Sequence, residues 1–362
     1  MADPRATRLA RLLVEYSRGV KRGQKVMIRG PSAAEPLLLE LGRAVLRRGG
    51  HPMYRMAPNR AAEVFFAEAS EAQLAFLPDS AMAVAKDADH YLNIVSETNT
   101  QALAGVDPKK QTIFQKANRP IQDYVLSKGQ WTLALYPTEA YAQDAGMSLE
   151  EFEDFVYAAC CVDKKDPVAE WKKAKAFQDR ILRRLRGADR IHIVAPDTDL
   201  TMRVKGRRFL NCCGSHNMPD GEVFTGPVET SAEGCIRYTY PVCYRGREVV
   251  DVRLEFERGR VVKASAAKNE AFLRTMLATD DGATRLGELG IGTNYGIQRF
   301  IKSILFDEKI GGSVHLAVGR SYEETGGKNK SAIHWDMICD LRQGGRLEVD
   351  GKVVQADGKF RL

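Results

Sequence analysis

The sequence predicts an α/β domain built on a mainly parallel sheet, followed by a strand-rich α+β domain. Three observations carry this expectation. Strand and helix patterns alternate through the first half. Short strands and turns replace them after residue 188. The length, 362 residues, exceeds what one hydrophobic core ordinarily serves. Two domains are therefore expected, residues 1–188 and 189–362.

The chain opens on an amphipathic helix, with Leu9, Leu12, Leu13 and Tyr16 at helical spacing and Arg5, Arg8, Arg11 and Glu15 around them. KVMIR (25–29) reads as a strand, AEPLLLELGRAVLRRGG (34–50) as a helix closed by glycines, and HPMYRM (51–56) as a second strand. HYLNIV (90–95) and WTLALYP (131–137) continue the series, with helical AAEVFFAEA and SLEEFEDFVYAACC interspersed. A further helix begins near Val168 and ends in RILRRLR (180–186). Beyond it lie the short strands of IHIVAP, DLTMRVKGRRF and CIRYTYPVCYRGREVVDVRLEFERGRVV. Val250, Val252, Leu254 and Phe256 alternate ahead of Glu257-Arg258-Gly259-Arg260, which signals a hairpin into Val261-Val262. Helices are expected around 267–278 and 297–306, and the glycines of Gly290-Ile291-Gly292-Thr293-Asn294-Tyr295-Gly296 read as a turn.

Composition excludes several classes. With 44% hydrophobic and 28% charged residues the chain is globular rather than disordered. No apolar run approaches the roughly 18 residues of a membrane helix, and no export signal is read at the amino terminus, so the cytoplasm is the expected compartment and no membrane partner is expected. The seven cysteines include the adjacent pairs Cys160/Cys161 and Cys212/Cys213 and no secreted-scaffold spacing. The net charge of +7 is spread along the chain, and RILRRLR reads as a solvated helix face, which argues against nucleic acid. After the first strand, Gly30-Pro31-Ser32-Ala33-Ala34-Glu35-Pro36 lacks the spaced glycines of a dinucleotide loop.

The chemistry-bearing residues lie in the second half. In SAIHWDMICDL (331–341), Ile333, Trp335, Met337, Cys339 and Leu341 would line one face of a strand, leaving His334 and Asp336 together on the other. A half-buried strand presents such pairs without any site, so this stretch alone decides nothing. Glu222 follows a Pro-Asp-Gly turn, Glu288 precedes a run of glycines, and His315 and Tyr322 fall on or beside a short strand. Singly, these read as loop acids, a core histidine and a packing tyrosine. Together, two imidazoles and three carboxylates supply the donors that zinc, cobalt, manganese or magnesium accept, and a carboxylate can bridge two ions. Two such ions about 3.5–4 Å apart can activate a shared water and polarise a carbonyl. Cys212, Cys213 and His216 are read as packing residues, because adjacent cysteines chelate one ion poorly.

MPDGEVFTGPVE, DVRLEFERGRVV, LGELGIGTN, ILFDEKIGGSVHLAVGRSYEETGGKNKSAIHWDMICDLR and VDGKVVQADGKF, with GVKRGQKVMIRG near the start, resemble the thermophilic metalloaminopeptidase family, the aminopeptidase T, aminopeptidase S and PepS group. The resemblance implies a homodimeric, dinuclear metal exopeptidase acting on peptides with a free amino terminus through a bridging water or hydroxide. It implies Glu222, Glu288, His315, His334 and Asp336 as metal ligands, with Glu288 shared by both ions, and Tyr322 as a donor to the developing oxyanion; a carboxylate must also pass a proton to the leaving amine, and Glu288 is the candidate where it is not fully committed to metal. Two alternatives stand beside it: a dinuclear hydrolase of another amide or ester, and a non-catalytic small-molecule-binding module.

Overall fold

The computed structural model describes residues 3–244 and 247–361. The chain divides into two compact units, one of residues 1–170 with 214–219, the other of residues 171–213 with 220–362.

In the first unit the strands Lys25–Pro31, His51–Ala57, His90–Val95 and Trp131–Leu135 form a parallel sheet, joined at its edge by the short strand Asn217–Met218. Val26, Ile28 and Leu92 are fully buried in it. The opening helix Pro4–Leu12 is capped by Asp3, whose carboxylate accepts the Arg5 N–H at 2.7 Å, and it buries Leu9 and Leu12. Helix Glu35–Arg47 ends just before Gly49, whose φ of +74° is the left-handed conformation that glycine takes without strain.

The second unit begins inside the helix Pro167–Leu185 rather than near residue 188, because that helix turns Ile181 and Leu185 into the second core. Its larger sheet has eight strands, among them the hairpin Arg253–Glu257 and Arg260–Ser265. Arg258 and Gly259 both have positive φ, the geometry that matches a two-residue turn to the strand twist. A helix spans Glu270–Leu277 as expected, but of the stretch 297–306 only the start of the short helix Ile304–Asp307 is helical. The cause is local: Lys302 sits at φ +63°, and the Asp307 carboxylate takes the Ile301 N–H at 2.8 Å, which folds the preceding residues into a loop.

The smaller sheet positions the site. Its order is His334–Asp340, Ser313–Gly319, Leu286–Gly292, Glu222–Thr225 and Leu210–Cys212, with antiparallel neighbours. Every residue of Leu286–Gly292 and Ser313–Gly319 is buried. Gly290 and Gly292 are therefore strand residues, not the turn expected from their glycine content. A Cβ on Gly290 would stand 2.0 Å from the His315 ring, and one on Gly292 would stand 2.0 Å from the Ile310 carbonyl oxygen. One face of this sheet, through Leu289, Ile291, Val314, Leu316, Trp335 and Met337, shares a core with Ile193, Leu200, Leu254 and Phe256 of the larger sheet.

Candidate metal centre

The other face of the smaller sheet carries the candidate residues. Along the strand His334–Asp340 the alternation read from the sequence holds: Trp335, Met337 and Cys339 point into the core at 2% exposure or less, and His334 and Asp336 stand opposite. The register then stacks the rest. His315 pairs with Gly290 on one side and Ile338 on the other; Ala317 lies between Glu288 and Asp336; Gly319 pairs with His334, and Gly292 with Glu222. Directly paired positions share a face, so glycine and alanine leave the room that two imidazoles and three carboxylates fill.

The distances describe two clusters with one common member. His315 Nε2 lies 3.2 Å from Glu222 Oε2 and 3.5 Å from Glu288 Oε1. His334 Nε2 lies 3.2 Å from Glu288 Oε2 and 3.4 Å from Asp336 Oδ2. The two oxygens of Glu288 are thus divided between the two histidines. Each imidazole is aimed from behind: His315 Nδ1 is 2.9 Å from the Glu308 carbonyl oxygen and His334 Nδ1 is 2.7 Å from that of Arg320. An Nδ1–H donated to a carbonyl leaves the Nε2 lone pair facing the carboxylates, the tautomer a metal ligand needs.

Two further residues belong to the site and were given no role from the sequence. The Glu308 carboxylate converges with His315 and Asp336. Lys309, fully buried, pairs with Glu308 and lies 3.8 Å from Glu222 Oε1. Their only sequence signal is the run Asp307-Glu308-Lys309 ahead of two glycines, charged residues in an apolar setting with no period to mark a face.

The electrostatics follow from burial and crowding. Burial opposes the charge on Glu222, but Lys309 and His315 outweigh it and its carboxyl is held below the usual range. Burial likewise opposes charge on Asp336, yet chiefly His334 lowers it to about 2. Burial, with Glu222 and Asp336 nearby, lifts Glu308 to about 7 even beside Lys309. Both imidazoles, although burial favours their neutral form, are pushed up by Glu222, Glu288 and Asp336. Tyr322 lies at the edge of the cluster, 36% exposed, its ring 5.0 Å from that of His334 and edge-on to it. Desolvation and then Glu288 and Asp336 push its hydroxyl up, so it remains a protonated donor.

The residues fit divalent cations. Buried Asp336 Oδ1 has no hydrogen-bond partner, and an acceptor without a donor in a buried site suits a metal. With neutral imidazoles, the carboxylates of Glu222, Glu288, Glu308 and Asp336 against the single ammonium of Lys309 leave a net excess of negative charge that cations would offset. Cys212, Asp220 and Glu222 also come within ligating range of one another. Burial pushes the Cys212 thiol up and keeps it protonated, consistent with packing. The His216 ring packs tilted against that of Trp131, 4.8 Å between ring centroids.

Comparison with known proteins gives the family. Aminopeptidase T of Thermus thermophilus is 29% identical over 304 residues, 71% of each chain. Aminopeptidase 2 of Geobacillus stearothermophilus is 27% identical over 97% of this chain and 94% of its own. The solved structure of wild-type AmpT from Thermus thermophilus superposes with a TM-score of 0.86 over 99% of both chains at 24% identity. A 2,5-dihydroxypyridine dioxygenase from Pseudomonas putida shares the fold at a TM-score of 0.60 and 15% identity, over 98% of this chain and 96% of its own. Fold likeness alone therefore does not select the chemistry. The model of the thermophilic metalloprotease (M29) family matches residues 2–360, and the chain belongs to that family.

Proposed function

We propose that this metalloprotease is an aminopeptidase that removes amino-terminal residues from peptides at a site for two divalent ions. One observation carries the reading: the two oxygens of Glu288 face different histidines, His315 at 3.5 Å and His334 at 3.2 Å. A carboxylate split in this way suits two cations better than one. In this reading Glu222 and His315 would hold one ion and His334 and Asp336 the other, with Glu288 available to both and Glu308 beside the cluster on the side of Lys309. Bound zinc, cobalt, manganese or magnesium ions would polarise the scissile carbonyl and lower the pKa of a coordinated water.

The chain's own groups do the rest. An unprotonated amino terminus held at this cluster, at a fixed distance from the reacting carbonyl, would set cleavage at the first peptide bond. Tyr322, protonated and beside His334, donates to the oxygen that gains charge as the carbonyl becomes tetrahedral. Glu288 would carry the proton to the leaving amine only where one of its oxygens is not committed to an ion.

Release of an aminoacyl reporter, with metal content measured on the same sample, tests the reading. We expect two ions per chain, loss of turnover on chelation and recovery on adding metal back. A metal-free chain without metal-dependent hydrolysis would point to a binding module, and tight metal with turnover only of non-peptide substrates to another hydrolase. The reading also takes the enzyme as a cytoplasmic homodimer, supported by the family resemblance and by seven free cysteines, which suit a reducing compartment. Sedimentation analysis checks the dimer.

A further inference from the structure

A cavity of about 120 Å³, the size of one amino-acid side chain rather than of a drug-sized ligand, opens beside His334 and Asp336. We propose that it receives the first side chain of the substrate and selects apolar side chains over cationic ones. This inference rests on the aminopeptidase reading and names what that site prefers.

The walls are Val242, Phe300, Ile304 and Ile338. Ile338 lies two residues beyond Asp336, on the sheet face that carries the ligand candidates, and pairs with His315 in register, so the cavity floor continues the metal centre. Phe300 is fixed from behind. Its ring stacks on Tyr240 at 5.1 Å and 4°, the Tyr240 hydroxyl donates to Asp340 Oδ2 at 2.8 Å, and Arg342 pairs with the same carboxylate at 2.7 Å. Ile304 is 49% exposed, an uncovered apolar wall.

The charges at the cavity are unequal. Its acids are Asp336, already in the cluster, and Asp307, buried and turned to the Ile301 N–H at 2.8 Å. Neither is free to meet a substrate's cation. Lys302 supplies the positive charge; its Nζ is 3.4 Å from Glu248 Oε1, but Glu248 also pairs with Lys268 at 2.8 Å, so this group of three remains net positive. Lys302 is held at φ +63°, a conformation L residues rarely adopt, and the Asp307 hydrogen bond to Ile301 fixes the loop that carries it. A substrate lysine or arginine would enter against Lys302, whereas a leucine or phenylalanine would bury apolar surface on the four walls.

The test compares kcat/KM for alanyl, leucyl and lysyl reporters on the full chain loaded with metal. For the natural chain we expect leucyl over lysyl by about tenfold or more, in the range that hydrophobic pockets deliver. Ile304→Trp, which fills the cavity from its exposed wall, should lower the leucyl-to-alanyl ratio at least about tenfold. Lys302→Gln should raise the lysyl-to-leucyl ratio about three- to tenfold. Calorimetric titration with L-leucine and L-lysine should show the same order without turnover. Substitutions that lower all reporters together, leaving the ratios unmoved, would overturn the pocket while leaving the aminopeptidase reading intact. Failure of the natural chain to release any amino acid from a peptide would overturn both.

Discussion

His315 and His334 turn their Nδ1 atoms to the backbone carbonyls of Glu308 and Arg320, which leaves Nε2 of each free to face carboxylates. Replacing His334 by alanine should remove at least one ion per chain, with affinity falling more than about 100-fold, beyond what loss of an outer partner costs. Metal analysis after dialysis checks this, and retention of both ions with full turnover would remove His334 from the ligand set. The imidazoles also fix a pH dependence. In the metal-free chain their pKa values are raised above the ordinary 6.5, so the stability they contribute is complete below pH 6.5 and is lost as pH climbs through the raised values. Metal requires them neutral, so metal-derived stability changes in the opposite direction and grows with pH. Melting curves from pH 6 to 9 should therefore slope oppositely with and without metal; parallel slopes would contradict the assignment. Lys309 gives a third residue-scale expectation. Lys309→Met leaves Glu222 and Glu308 buried without their counter-charge and should destabilise the metal-free chain by about 3–5 kcal/mol, less when metal is bound. Denaturant titration of both forms measures the difference.

At the scale of elements, the strand Leu286–Gly292 explains both what the sequence disclosed and what it hid. By local pattern Glu288 reads as a loop acid ahead of glycines, and only the family resemblance makes it a ligand candidate, whereas Gly290 reads as part of a turn because glycine's local preference is a turn. Its reason for being in a strand is 25 residues away, in the ring of His315, and no local pattern reports that distance. Gly290→Ala should therefore displace His315, costing about 1–3 kcal/mol of stability by overpacking and at least about tenfold in metal affinity. A variant that binds metal normally would show that the ring has room to move. The His334–Asp340 strand was legible because its period of two separates Trp335, Met337 and Cys339 from His334 and Asp336. Glu308 and Lys309 lie outside any strand, and the missing helix over 297–303 shows the same limit: a buried Asp307 and a left-handed Lys302 override propensity there.

Across the whole chain, the alternation of the first half and the short strands of the second gave both architectures, since each follows from local periods. The division at residue 170 was less legible, because whether helix Pro167–Leu185 packs with what precedes or follows it is a tertiary choice that amphipathicity leaves open. Because the candidate ligands all fall in the unit of residues 171–213 and 220–362, metal should stabilise that unit selectively, by about 2.7 kcal/mol at a hundredfold excess over Kd. Hydrogen exchange should show chelation loosening Ser313–Gly319 and His334–Asp340 while leaving Lys25–Pro31 unchanged. The fully buried Lys309 adds a consequence for biogenesis. By sitting among the acids from the start, its ammonium partly stands in for the ions during synthesis. The expected outcome is a polypeptide that keeps its fold without ions and takes them up later, which circular dichroism of the chelated chain before and after metal is returned would check.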